Sequence, residues 1–218
     1  VRKLNVLIGC ECSGIVRDEF IKLGHDAMSC DLEPCDRPGP HHQGDLIELL
    51  NSKPSGYYDL MIAHPVCTYL CGSGWHWHKK DPTRMAKSLD ARDFFMSLWA
   101  HPSAQHVILE NPIGKMSTWF RRPDQIVQPW QFGDDASKAT CLWMTSDLLK
   151  LTLDPTLFVA PRITADGKKR WANQTDSGQN RLGPSADRAK LRSETYPGIA
   201  RSGAKQWSEA LCLKALSQ

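Results

Sequence analysis

Cys67 closes the run Tyr58-Asp59-Leu60-Met61-Ile62-Ala63-His64-Pro65-Val66-Cys67, and Glu110 stands in Val107-Ile108-Leu109-Glu110-Asn111-Pro112. Each run is a short apolar stretch of strand type that ends in turn residues and presents one reactive group. A thiol and a carboxyl group at strand ends suit attack on a pyrimidine ring. The thiolate adds to a ring carbon while the acid keeps a ring nitrogen protonated. A free thiol titrates near about 8.5, so little thiolate exists at neutral pH. The site must therefore lower that value or take the proton as attack proceeds. His64 is close in sequence, but adjacent strand residues face opposite sides, so no base role is expected for it. Cys71 is the rival thiol, deeper in the following loop, and a structural role is the alternative for Cys67.

These groups need strands and helices to hold them. A first buried strand is expected at residues 4–8 and a turn at 9–14, followed by helical spacing from Ile15 to Leu23 that stops at Gly24. A second strand, His25 to Cys30, ends at Asp31, and Asp45 to Leu50 reads as a short helix. The strand at 59–63 precedes the cysteine. A longer helix from Thr83 to Ala100 would turn Met85, Leu89, Phe94, Phe95, Leu98 and Trp99 toward the core. Strands alternating with helices imply a doubly wound, mostly parallel α/β sheet, whose ligands sit beyond the carboxyl ends of the strands. Asp31, Cys67 and Glu110 all fall at such ends. From Asp154 onward Pro and Gly break the periodicity, until a last helix from about Gly198 to Leu216. The chain divides into a core at 1–150, an irregular basic region at 151–195 and a returning C-terminal helix at 196–218.

A length of 218 residues, with 41% hydrophobic and 23% charged residues, is enough for one sizeable domain with its own core. Nothing approaches the roughly 20 apolar residues of a membrane span, and no leader segment is apparent, so a cytoplasmic location is expected. The eight cysteines lack the regular spacing of a disulfide scaffold, and no Cys-x-x-Cys unit supports a metal site; reduced thiols and no metal are expected. The net charge of +3 is unevenly placed: residues 161–192 hold eight Lys/Arg against three Asp/Glu, which leaves the remainder at −2. A basic segment on a near-neutral body points to a polyanion, with a solvated loop as the alternative.

In this order the motifs resemble the DNA cytosine-5 methyltransferases, especially short, phage-like members. The resemblance covers residues 4–145 and, more loosely, 192–208. It implies a Rossmann-like class I S-adenosylmethionine-dependent methyltransferase fold and methyl transfer to a flipped cytosine. Leu7-Ile8-Gly9-Cys10-Glu11-Cys12-Ser13-Gly14 stands where the family places its S-adenosylmethionine loop, although the family carries more glycine there. Gly9, Cys10, Glu11, Ser13 and Gly14 are thereby cofactor candidates, with small Ser13 and Gly14 allowing close backbone approach. Asp31 matches the acid that accepts from the ribose hydroxyls. Asp45, in Gly44-Asp45-Leu46-Ile47, matches the acid on the adenine amino group, with a helix N-cap as an equal explanation.

The family usually has Pro-Pro-Cys-Gln where this chain has Pro65-Val66-Cys67-Thr68. The resemblance makes Cys67 the nucleophile and groups the surviving turn proline, Pro65, with the cofactor residues. Glu110-Asn111-Pro112 corresponds to Glu-Asn-Val, and Lys138 takes the place of an arginine on the base carbonyl oxygen. Lysine supplies the charge without the fork. Gln179-Asn180-Arg181 is a second, weaker match to that motif. Trp75 and Trp77 follow the nucleophile and would stack in the gap left by an extruded base, unless they pack on the protein itself; Lys79 and Lys80 would meet phosphate. Arg162, Lys168, Lys169, Arg170 and Arg181 lie where the family has its target-recognition region. A reader so short implies a site of one to three bases on duplex DNA, by a monomer. RNA or nucleotide substrates, a donor of a larger group, and a binding module without turnover remain the alternatives.

Overall fold

The computed structural model describes residues 2–216. Its centre is a seven-stranded sheet in the order β3-β2-β1-β4-β5-β7-β6. β1 (Asn5–Gly9), β2 (Asp26–Asp31), β3 (His41–Gln43), β4 (Tyr58–Ala63) and β5 (Ala104–Pro112) run parallel. β7 (Thr140–Met144) lies antiparallel between β5 and β6 (Gln125–Val127). β4 is buried at all six positions, as a strand covered on both faces must be. Alternate residues of β1 feed the two sides: Val6 and Ile8 enter one apolar cluster and Leu7 the other.

On one face α1 (Ile15–Lys22) packs with the long α6 (Pro197–Leu216), burying Phe20, Ile199 and Trp207. On the other, α2 (Leu46–Asn51) and α3 (Arg84–Trp99) cover Leu7, Met61 and Leu109. Phe95 and Leu98 are fully buried as expected, whereas Met85 and Leu89 are exposed at 44% and 37%. The early turns of α3 pack through polar groups instead, with buried Ser88 hydrogen-bonded to His78 and to the Tyr69 carbonyl. Gly24 ends α1 with a φ of 87°.

Three strands of the main sheet lie outside the strand–helix alternation of the sequence. β3 was hidden in a Pro/Gly/His-rich loop, while β6 and β7 follow α4 (Met116–Trp119) without a helical crossover. β5 also continues two residues past Glu110, because Glu110, Asn111 and Pro112 pair with Leu142, Cys141 and Thr140 of β7. Beyond β7 the chain forms a two-stranded hairpin, β8 (Arg162–Ile163) and β9 (Lys169–Arg170), then the short α5 (Arg188–Ser193). The irregular region is stapled to the body by Trp171, which stacks on Trp130 at 5.3 Å and donates Nε1–H to the Val159 carbonyl.

Candidate active site

The carboxyl ends of β1, β4 and β5 meet at one rim. The His64 amide donates to the Gly9 carbonyl at 3.0 Å, which carries the chain from β4 toward Pro65 and Cys67. Asn111, buried beside it, donates Nδ2–H to the Pro65 carbonyl at 2.9 Å and so ties the nucleophile turn to β5. The loop after Cys67 is held by Gly114, whose neighbour Lys115 donates its amide to the Leu70 carbonyl. A Cβ on Gly114 would stand 2.1 Å from that same carbonyl oxygen. Val66, in the place of the family's second proline, is 47% exposed and makes no core contact that would fix the turn.

Glu110 is nearly buried and accepts a 2.9 Å hydrogen bond from Nδ1 of His64, itself only 13% exposed. The sequence argument set His64 aside on strand alternation, but His64 lies just past the end of β4, where alternation no longer governs direction. An adjacent His at the end of a strand next to the acid-bearing strand was the available signal. His64, Glu110, Lys138 and Tyr196 line a narrow cleft together with Ile62 and Ile199. Among the described residues, His64 Nε2 is a buried atom without a hydrogen-bond partner.

The electrostatics of this rim oppose two protonation states. Burial pushes the Glu110 carboxyl up, but the His64 hydrogen bond and the charge of Lys138 outweigh it, so its pKa lies below the usual value. For Cys67, burial foremost, then the Glu110 carboxylate and Cys71, push the thiol above its ordinary value against the opposing charge of Lys138. The resting pair at neutral pH is thus a thiol and a carboxylate. Of the two routes open to the thiol, this environment favours removal of the proton as attack proceeds. The structure brings Cys67, Glu110 and Lys138 within range of each other's charges. Lys138 Nζ itself donates to the Ser193 and Glu194 carbonyls at 3.2 and 3.0 Å. Cys71 turns toward its own loop, with Sγ 3.5 Å from Ser73 Oγ.

The loop from β1 to α1 is built around Glu11. Its Oε1 accepts from Ser13 Oγ at 2.9 Å and from the Val16 amide at 3.0 Å, capping α1, while Oε2 is buried without a partner among the described residues. Cys10 takes φ 55° and Gly14 φ 71° to make the turn. Gly9 lets the Leu46 side chain lie close, since a Cβ would stand 2.5 Å from its Cδ2 and would push that end aside. Asp31 and Asp45 both raise the Cys10 thiol electrostatically, behind the larger effect of burial, so the three lie near one another. Asp45 does cap α2, but the Ile47 and Glu48 amides both use Oδ1. Lys190 of α5 pairs with Asp36.

The candidate nucleic-acid residues divide. Trp75 is enclosed, stacked on His78 at 3.9 Å, edge-on to Trp119 and covered by Lys115. Trp77 is 48% exposed with Lys80 over its ring, and Lys79 is exposed beside it. Lys168 pairs with Asp166, and Lys169 points to solvent. Arg162, Arg170 and Arg181 converge on a single hollow. Among the described residues, no group of three His, Cys, Asp or Glu side chains could hold a metal ion.

No family model and no curated protein matches this chain. Among solved structures it is similar to the Entamoeba histolytica methyltransferase EhMeth, at 15% identity and TM-score 0.47 over 99% of each chain. It is also similar to an Escherichia coli prophage-encoded protein assigned as a DNA modification methyltransferase, at 16% identity and TM-score 0.45 over 71% of this chain and 50% of that one. The bifunctional kinase-methyltransferase WbdD matches at 21% identity and TM-score 0.35, over 50% of this chain and 24% of its own. The chain thus spans about a quarter of WbdD and half of the prophage protein. The fold itself is defined by the sheet. Five parallel strands wound outward from β1 and β4, with an antiparallel β7 inserted before β6, make it a Rossmann-like doubly wound fold. No helix among the described residues is long and apolar enough to cross a membrane.

Proposed function

We propose that the chain is an S-adenosylmethionine-dependent DNA cytosine-5 methyltransferase acting on a flipped cytosine in duplex DNA, as a monomer and with a short recognition sequence. The observation that carries this reading is the placement of Cys67 and Glu110 at one rim: Asn111 ties the Cys67 turn to the strand that bears Glu110, and His64 holds the Glu110 carboxylate at 2.9 Å. Addition of Cys67 to the sixth carbon of cytosine requires a proton to leave sulfur and another to arrive on the ring nitrogen next to the amino group. Glu110 takes the first and delivers the second. The sulfur–carbon bond forms, the ring double bond shifts toward the nitrogen, and the net proton count is unchanged. The His64 Nδ1–H holds the carboxylate in place and ionised until then. The fifth ring carbon is now electron-rich. After it has gained the methyl group, loss of its proton expels Cys67 and restores the ring.

The side chains around the β1–α1 turn suit the cofactor. The buried, unpartnered Oε2 of Glu11 suits the ammonium group of its methionine part, Asp31 suits the ribose hydroxyls, and the second oxygen of Asp45 suits the adenine amino group. S-Adenosylmethionine supplies there a methyl group made electrophilic by a sulfonium. Gly9, Cys10, Ser13, Gly14 and Pro65 complete the cofactor site. Lys138 reaches the base carbonyl oxygen by exchanging its hold on Ser193 and Glu194 for that oxygen. Trp77, Lys79 and Lys80 face the nucleic acid.

The test is methyl transfer from labelled S-adenosylmethionine to mixed-sequence duplex DNA, followed by nucleoside analysis, with Cys67→Ser as control. 5-Methylcytosine that vanishes in the control is the expected result. Methyl groups on RNA or free nucleotides only would overturn the substrate. Label on an exocyclic amine would overturn the chemistry.

A further inference from the structure

We infer that Arg162, Arg170 and Arg181 form a preformed clamp for one backbone phosphate of the DNA strand that carries the target cytosine. The inference rests on the proposed action on duplex DNA. Arg162 and Arg170 are directly opposed across the β8–β9 hairpin. Like charges in that register repel, so a two-stranded hairpin would not keep them there for its own stability. Arg181 joins them from the following loop, and the three surround a hollow of about 480 Å³ completed by Ala172 and Asp135. Three guanidinium groups face Asp135 in the lining and Asp176 on Arg162, which leaves the hollow net positive.

The groups are also fixed before any ligand arrives. The Gln174 carbonyl accepts both Arg162 Nη2–H at 2.8 Å and Arg181 Nε–H at 2.9 Å, and the Asp176 carbonyl accepts Arg170 Nε–H at 3.0 Å. Asp176 additionally pairs with Arg162 through its carboxylate. Arg162 Nε is buried and has no partner among the described residues, a donor whose desolvation nothing yet offsets. Guanidinium groups offer donors and no acceptors, and they match a phosphate, whose oxygens all accept and carry the opposite charge.

Its position fixes which phosphate. The Ala172 amide donates to Asp135 at 2.9 Å, and Asn173 exchanges two hydrogen bonds with the backbone of Ser137. Ser137 precedes Lys138, which lines the cleft with Glu110. The clamp is therefore anchored to the same loop as the base contact, and it holds a phosphate flanking the extruded nucleotide. That contact sets the register without reading sequence.

The experiment measures binding of a short duplex with one mismatched, easily extruded cytosine, across a salt series, by fluorescence anisotropy. Arg181→Gln is expected to weaken binding for all flanking sequences and to lower the salt slope by about 0.9, one phosphate contact. Arg181→Lys should recover the slope. Wild-type protein is then scanned with single methylphosphonates along the mismatched strand, a readout that needs no variant to fold. One sensitive position beside the cytosine, insensitive in Arg181→Gln, is the expected pattern. A flat scan with an unchanged slope in Arg181→Gln overturns the clamp while leaving duplex binding intact. Wild-type protein that binds no duplex at all overturns the clamp together with the function on which it rests.

Discussion

Replacing His64 with leucine removes the hydrogen bond to Glu110 and leaves the volume nearly filled. A hydrogen bond to a charged group contributes about 1.5–3 kcal/mol, and a buried carboxylate left without it is penalised by a similar amount. Because the charge of Lys138 still reaches Glu110, we take about 2 kcal/mol as the loss at neutral pH. For a chain of this length each kcal/mol shifts the midpoint by roughly 2–4 °C, so His64→Leu should melt about 4–8 °C lower at pH 7. His64→Asn, which keeps an amide donor near the place of Nδ1, should lose less than about half of that. The pH dependence has a definite sign. Glu110 titrates below its ordinary value of 4.5 in the native state, so its ionised form stabilises the fold above that pH, and the contribution is lost as pH falls through the native value. The leucine variant's deficit should thus be full at pH 7 and shrink on acidification. Thermal melts from pH 7 to pH 4 read this directly. Equal midpoints at pH 7, or a deficit that widens in acid, would refute the argument that His64 holds Glu110 ionised.

Glu110→Gln removes a charge that raises the Cys67 thiol, so alkylation of Cys67 by iodoacetamide at neutral pH should speed up. Lys138→Met should slow it, and rates that move together in both variants would show that the charges do not set thiol reactivity. Glu11→Gln should cut S-adenosylmethionine affinity roughly tenfold or more in calorimetry, because a buried carboxylate facing an ammonium loses its charge; its cap on Val16 can be kept by the amide oxygen, so the melting point should fall little. Gly114→Ala drives a methyl group against the Leu70 carbonyl at 2.1 Å. It should displace the loop after Cys67 and suppress methyl transfer while the far-UV spectrum of the sheet persists.

Alternation of short apolar runs with helical ones was enough, by itself, to determine the wound α/β core: β1, α1, β2, α2, β4, α3 and β5 all lie within a few residues of where their patterns place them. Such periodicity is local, since a strand covered on both faces must be apolar throughout and a helix must show one apolar stripe. The sequence also presented Cys67 and Glu110, because reactive residue types at strand ends are visible without coordinates. What the chain alone could not decide was decided by pairing between distant segments. β7 was not legible as the partner of β5, because antiparallel insertion is a matter of topology and leaves no periodic mark. His64 became the partner of Glu110 only once β4 and β5 lay side by side. The protonation states of the pair follow from burial and the approach of Lys138, quantities that no spacing encodes. Likewise, three arginines separated by eight and eleven positions are merely basic in sequence. The hairpin turns them inward, and folding alone makes them a site.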